Sequence, residues 1–176
     1  MTFLVIDDEK AELEARVFGR LDRLGIPHRT VRHPPAHTVE EARRLRGDLA
    51  GGHAKNLFLK SKRDEYVLAV AQEDAPVDVQ ALARACGVGR LSFARPERVF
   101  EWLGVWPGAV TPFALVNAQQ HPNRNRLRIV VDQTLLDHET VWFHPLHNAA
   151  TTGISSAGLV RFIEDCGWAP VAHRFA

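Results

Sequence analysis

Hydrophobic residues along this chain recur with two periods. Leu13, Val17, Leu21 and Leu24 lie at helical spacing, so residues 9–24 are predicted to form an amphipathic helix that stops at Gly25. In Leu57-Phe58-Leu59-Lys60 and Tyr66-Val67-Leu68-Ala69-Val70 the pattern is that of strands, and the polar turn Ser61-Lys62-Arg63-Asp64-Glu65 between them predicts a β-hairpin. A short strand is expected over residues 28–33, closed by Pro34-Pro35. Thr38, with Glu41 three residues on, forms a capping-box pattern that opens a helix over 38–45, which runs into Gly51-Gly52. Further on, the pattern predicts a helix over 77–86, a strand over 91–93, and a helix over 96–103 with Pro96 in its first turn. Trp106-Pro107-Gly108 turns the chain. Strands are expected over 113–116 and 127–131, followed by the apolar pair Leu135-Leu136, strands over 140–143 and 151–154, and a helix over 155–166. Helices and strands interleave, which predicts a mixed α/β fold with a mixed sheet flanked by helices.

At 176 residues the chain suits one domain, 1–176, large enough to bury a core without metal or disulfide. Hydrophobic content of 45% and charged content of 24% are globular values, and no repeat or low-complexity tract is present. Cys86 and Cys166 stand far apart in apolar helical surroundings, the expected setting of buried, reduced thiols. Phe3-Leu4-Val5-Ile6 is too short for a signal segment or a membrane span, and acids follow it at Asp7, Asp8 and Glu9, so a cytoplasmic protein without membrane association is expected. The run Leu4-Val5-Ile6-Asp7-Asp8-Glu9 is similar to the first strand of a response-regulator receiver. A receiver also needs an acceptor aspartate at the end of a third strand, and Asp48 follows a helix instead.

A net charge of +1 argues against binding long duplex DNA. The charge is nonetheless uneven. Between residues 43 and 63, Arg43, Arg44, Arg46, Lys55, Lys60, Lys62 and Arg63 face the single acid Asp48, and His121-Pro122-Asn123-Arg124-Asn125-Arg126-Leu127-Arg128 forms a second basic cluster, expected as an exposed hairpin loop. Such clusters serve either as solvated faces or as contacts to a phosphate backbone.

The pattern places Lys55 and Asn56 between a glycine loop and a buried strand, a position from which side chains reach solvent. Lys55-Asn56-Leu57-Phe58-Leu59-Lys60, with Thr38-Val39-Glu40-Glu41-Ala42 upstream, resembles the signature of the YbaK/prolyl-tRNA-synthetase-associated editing domains. Gly108-Ala109-Val110-Thr111-Pro112 resembles their G-x-x-x-P loop. Phe143-His144-Pro145-Leu146-His147-Asn148, followed by Thr151-Thr152-Gly153-Ile154-Ser155, resembles their C-terminal block. The resemblance spans about residues 12–170 and is strongest to the free-standing alanyl-tRNA(Pro) deacylases. The loop over 117–126 departs from that group in its basic and proline content.

The resemblance implies a curved, barrel-like sheet with a cleft at one end, and hydrolysis of the ester of mischarged alanyl-tRNA(Pro) by water, assisted by the terminal ribose hydroxyl. It implies no cofactor. The implied partners are the tRNA(Pro) acceptor end and, as a candidate, prolyl-tRNA synthetase. Its motifs carry Lys55, Asn56, Gly108 and His144 into the catalytic group, with Val39, Phe58, Pro112, Arg43 and Lys60 as substrate contacts. Lys55 is a compact cation suited to a phosphate or ribose oxygen, Asn56 adds a neutral polar contact, and the backbone at residues 108–110 offers amides for an oxyanion. His144 titrates near neutrality. No G-x-S-x-G elbow and no Cys-His neighbour suggest a covalent nucleophile, and the proline within His144-x-x-His147 spoils helical ligand spacing for a metal. A proline-sized synthetase pocket cannot exclude alanine by size, so a smaller second pocket must admit alanine while excluding the proline ring, with Val39 and Phe58 as candidate walls. Three other readings fit the same residues: a deacylase for cysteinyl- or seryl-tRNA, a small-molecule esterase, and a non-catalytic tRNA- or protein-binding module of the same fold.

Overall fold

The computed structural model describes residues 7–36 and 38–175, apart from the side chain of Val39. Helix α1 (Asp8–Arg23) begins where the Asp7 carboxylate accepts the Lys10 amide, and ends before Gly25 at φ +67°. Strand β1 (Arg29–Arg32) leads to α2 (Val39–Arg46), capped by Thr38 Oγ1 on the Glu41 amide. The predicted hairpin is present as β2 (Gly52–Ser61) and β3 (Tyr66–Gln72). Next come α3 (Val79–Cys86), β4 (Leu91–Phe93), α4 (Pro96–Leu103) and the short helix α5 (Leu115–Ala118). The chain finishes with β5 (Leu127–Asp132), the short helix α6 (Gln133–Leu136), β6 (Thr140–Phe143), β7 (Ala150–Ser155), α7 (Ser156–Asp165) and β8 (Val171–His173).

The strands run β1-β7-β6-β2-β3-β5-β8, with β4 added beside β2. The sheet is mixed and open: β1 and β8 are its two ends, so the barrel-like closure implied by the family resemblance is not reached. Strand β2 is the junction. Its first residues pair in parallel with β6 (Gly52 with Val141, His53 with Trp142), and from Ala54 onward it pairs antiparallel with β3.

Strand β3 is buried on both faces, which explains its unbroken apolar run. Tyr66, Leu68 and Val70 join the core formed by α1, α4, α5 and α7, whereas Val67, Ala69 and Ala71 pack against α3. Three expectations change. Residues 112–118 are helical: a 3-10 turn (Pro112–Ala114) that Thr111 caps through the Phe113 amide runs straight into α5. A fully buried apolar run has no period to separate strand from helix, and Thr111-Pro112 supplies a helix start. The basic segment over 121–128 is not a hairpin loop but the connection from α5 to β5, containing a 3-10 turn (Arg124–Arg126). Cys166 is buried, but Cys86 is only half-buried, and both are free.

Candidate active site

Two glycines hold the mouth of β2 against β6. Gly51 has φ +125°, and a Cβ there would lie 2.5 Å from the Thr140 carbonyl oxygen; at Gly52 it would lie 2.8 Å from the His138 and Leu135 side chains. This close approach brings β2 and β6 together before β2 turns away to β3. A cleft of about 200 Å³ opens where they part. Lys55, Asn56, Gly108 and His144 all line it, together with Arg46, His53, Glu73, Trp142 and Thr151. Lys55 and Asn56 lie within β2, three and four residues past its start, rather than at a strand entrance; the strand begins earlier than alternation suggested because Gly52 and His53 already pair with β6.

Asn56 donates Nδ2 to the Val110 carbonyl at 3.0 Å, and its Oδ1 is buried without a protein partner. Lys55 Nζ donates to the Ala75 carbonyl. The carbonyl of Ala150 can only accept, so the 3.0 Å contact from His144 Nδ1 puts the proton on Nδ1 and leaves Nε2 as an acceptor. Burial, only partly offset by that hydrogen bond, holds the His144 pKa below its usual value, and neighbouring His33, His147 and Arg46 push the same way. His144 is therefore a neutral imidazole at neutral pH. Behind it, His33 packs edge-on at 6.3 Å between ring centres and meets Thr151 Oγ1 at 3.1 Å.

The floor is rigid. His53 stacks on Trp142 at 6.3 Å and contacts the Leu49 carbonyl at 2.8 Å, while Trp142 Nε1 donates to the Ala50 carbonyl at 2.9 Å. Trp142 in turn lies over Gly153, where a Cβ would come within 2.8 Å of the indole. At the rim, the Glu73 carboxylate takes hydrogen bonds from Arg43 Nε and from Arg46 at 2.8 Å. Burial raises the Glu73 pKa, but the bonds from Arg46 and Arg43 outweigh it and leave the carboxyl below its usual range. Glu73 is thus a fixed anion that offsets part of the basic charge of α2.

The remaining sequence expectations divide. Arg43 reaches the site only through Glu73. Phe58 is not a wall: it is 3% exposed and stacks on Tyr66 in the core, because residues 56 and 58 share a strand face that passes from the cleft into the packed interior. Pro112 is buried in the 3-10 turn after the cleft loop, and Lys60 lies at the far end of β2, paired with Asp64 at 3.0 Å. The side chain of Val39 lies outside the described residues. Of the loop amides, that of Ala109 is committed to the Trp106 carbonyl, which removes it as an oxyanion donor. Sequence reasoning missed His53, Glu73, Trp142 and Thr151. Glu73 carried a signal, as an acid closing an apolar strand opposite the arginines of residues 43–46. Among the described residues, no group of three or more His, Cys, Asp or Glu side chains is arranged to hold a metal ion, and the His147 Nε2 contacts Glu14 at 2.8 Å.

Residues 33–162 match the family model of the aminoacyl-tRNA editing domain. The chain belongs to this family. Within it, the chain is 37% identical over 170 residues to prolyl-tRNA synthetase associated domain-containing protein 1 of Bos taurus, covering 94% of this chain and 96% of that protein. It is 31% identical over 152 residues to the prolyl-tRNA editing protein ProX of Acetoanaerobium sticklandii, covering 86% and 90%. The crystal structure of a candidate trans-editing enzyme for prolyl tRNA synthetase superposes with a TM-score of 0.72 over 97% of this chain and 98% of that one, at 22% identity, and so shares the editing-domain fold.

Proposed function

We propose that this editing domain hydrolyses the ester of alanyl-tRNA(Pro), acting as one domain in the cytoplasm on the acceptor end of the tRNA. The observation that carries the reading is the convergence of Lys55, Asn56, Gly108 and His144, from three separate segments, on one small cleft. Its volume of about 200 Å³ falls below the roughly 300–1,000 Å³ of ordinary small-molecule pockets, which suits an aminoacyl group with a small side chain.

In this reading Lys55 leaves the Ala75 carbonyl to hold a phosphate or ribose oxygen at the tRNA end. The unpartnered Oδ1 of Asn56 accepts a hydrogen bond from the α-ammonium group of the substrate. The Gly108 backbone approaches the scissile carbonyl, where an amide can stabilise the tetrahedral oxyanion. His144 Nε2, an acceptor on a neutral ring, orients the attacking water or the vicinal ribose hydroxyl. Water adds to the carbonyl carbon, the C–O bond to the ribose breaks, and the ribose oxygen leaves protonated, giving free alanine and intact tRNA. Fixed walls at Ala54, Val110 and Trp142 support the steric exclusion of proline.

A deacylation panel of alanyl-, prolyl-, cysteinyl- and seryl-tRNA(Pro) tests the reading. Rapid release of alanine with prolyl-tRNA spared is expected. Preference for cysteinyl- or seryl-tRNA would reassign the substrate, and tRNA binding without release of any amino acid would make the domain a binding module, a role compatible with relatives named only as synthetase-associated domain proteins.

A further inference from the structure

Two shallow clefts adjoin at the opposite end of β2, about 17 Å from Asn56 at ~3.3 Å per strand residue, and a third continues from them along β5 toward β8. One is lined by Lys62, Arg63, Glu65 and Arg90. A second shares Arg63 and Glu65 with it and adds Arg126 and Arg128. A third shares Arg128 with the second and adds Arg124. Their common walls make one continuous groove around the β2–β3 turn and the start of β5.

Lys62, Arg63, Arg90, Arg124, Arg126 and Arg128 are all exposed, and none takes part in an ion pair among the described residues. Glu65 lines the groove with its carboxylate turned to Ser61 Oγ at 3.0 Å and the Gly89 amide at 3.4 Å, and Asp64 beside it is paired with Lys60 at 3.0 Å and lies within electrostatic reach of Arg126. Three of the arginines are held but not neutralised. Arg126 donates to the Arg63 carbonyl at 2.7 Å, Arg128 to the Asn125 carbonyl at 3.3 Å and Arg124 to the Gln119 carbonyl at 3.4 Å. A carbonyl takes one of the five guanidinium N–H groups and leaves the charge and the remaining donors free. In a protein whose net charge is only +1, so many unpaired and partly pre-oriented cations along one concave track form a strong local field for a polyanion.

We propose that this groove binds the phosphate backbone of an RNA duplex whose single-stranded 3′ end reaches the cleft, a second contact that fixes how the substrate approaches. The proposal rests on the editing reading for the identity of the RNA. Its location rests on the groove alone.

The test is a fluorescence-anisotropy titration of an unacylated RNA hairpin bearing a single-stranded 3′ end, across a salt series. The variant Arg63→Gln/Arg126→Gln/Arg128→Gln is expected to bind at least tenfold more weakly at low salt, with the log–log salt slope reduced by about 0.7–0.9 for each phosphate that is no longer neutralised. Removing the same number of charges elsewhere, in Arg16→Gln/Arg84→Gln/Arg161→Gln, should leave affinity close to wild type. Thermal melts establish that both variants fold, and Arg90→Gln with Arg128→Gln gives a second groove variant that spares the Arg126 hydrogen bond to Arg63. Wild-type affinity in both groove variants, equal weakening in the control, or equally tight binding of a polyglutamate peptide would overturn the proposal. Because the RNA is unacylated, groove-dependent binding by a protein that releases no alanine would leave this inference standing and remove the proposed activity.

Discussion

Asn56 and Val110 are joined by a 3.0 Å hydrogen bond that uses the amide donor of the asparagine and leaves its Oδ1 buried and unpaired beside the cleft. A buried acceptor without a donor costs roughly 1–3 kcal/mol, which a substrate ammonium group would relieve on binding. Alanyl-tRNA with an acetylated α-amino group should therefore be deacylated about 10- to 100-fold more slowly than the free-amino substrate by wild-type protein, and Asn56→Ala should erase most of that difference. An equal rate on the two substrates in wild type would remove the ammonium contact.

Lys55→Ala should reduce single-turnover deacylation by at least 100-fold while the melting temperature changes little, since the half-buried side chain is outside the packed core and is tied to the fold by a single hydrogen bond, to the Ala75 carbonyl. Single-turnover rates near wild type would remove Lys55 from the reaction.

Two glycine substitutions should behave in opposite ways. A Cβ at Gly51 would lie 2.5 Å from backbone oxygen at a φ of +125°, so Gly51→Ala should destabilise the fold by about 1–3 kcal/mol or more, read by denaturant unfolding. At Gly108 a Cβ meets nothing within 4 Å. Gly108→Ala should therefore melt like wild type yet lose activity, if the substrate carbonyl approaches that backbone. Full activity in Gly108→Ala would move the oxyanion contact elsewhere.

Stability should fall in two stages on acidification. Burial holds His53, His144 and His147 below their usual pKa of 6.5, so each stays neutral in the folded state while the unfolded chain takes up protons. Their contribution is complete above pH 6.5 and diminishes as pH falls below it. Glu14 is buried, which raises its pKa, but hydrogen bonds from Arg32 and His147 prevail and lower it; Glu73 behaves alike with Arg46 and Arg43. What these carboxylates contribute is lost only below about pH 4.5, their ordinary value, as pH falls through the folded pKa. Unfolding free energies measured from pH 8 to pH 4 should decline first near pH 6.5. A flat profile between pH 7 and pH 5 would contradict the depressed histidines.

Selectivity should follow the walls that line the cleft. Val110→Ala removes methyl groups from one of them and should raise prolyl-tRNA(Pro) hydrolysis relative to alanyl-tRNA(Pro) by about 10- to 200-fold, the range expected for 1–3 kcal/mol of steric discrimination. Wild-type protein that cleaves both esters equally fast would defeat the steric explanation.

Local signals in the chain determined much of the secondary structure. Helical spacing of Leu13, Val17 and Leu21, the Thr38 cap, Pro96 in a first turn and the polar break between Leu59 and Tyr66 each act within a few residues, so α1, α2, α4 and the β2–β3 hairpin were legible without tertiary information. Motif resemblance supplied Lys55, Asn56, Gly108 and His144, but no local pattern brings them together. Tertiary structure decided that Phe113 follows the Thr111-Pro112 helix start rather than running on as a strand, since a run buried on every side has no periodicity to settle it. It alone revealed β8, whose three residues are strand only because Val171, Ala172 and His173 align with β5. It also separated Asn56 from Phe58, neighbours on one strand face, into a cleft residue and a core residue. That difference depends on where β2 parts from β6, and so on the close packing of Gly51 and Gly52 against residues some ninety positions later in the chain.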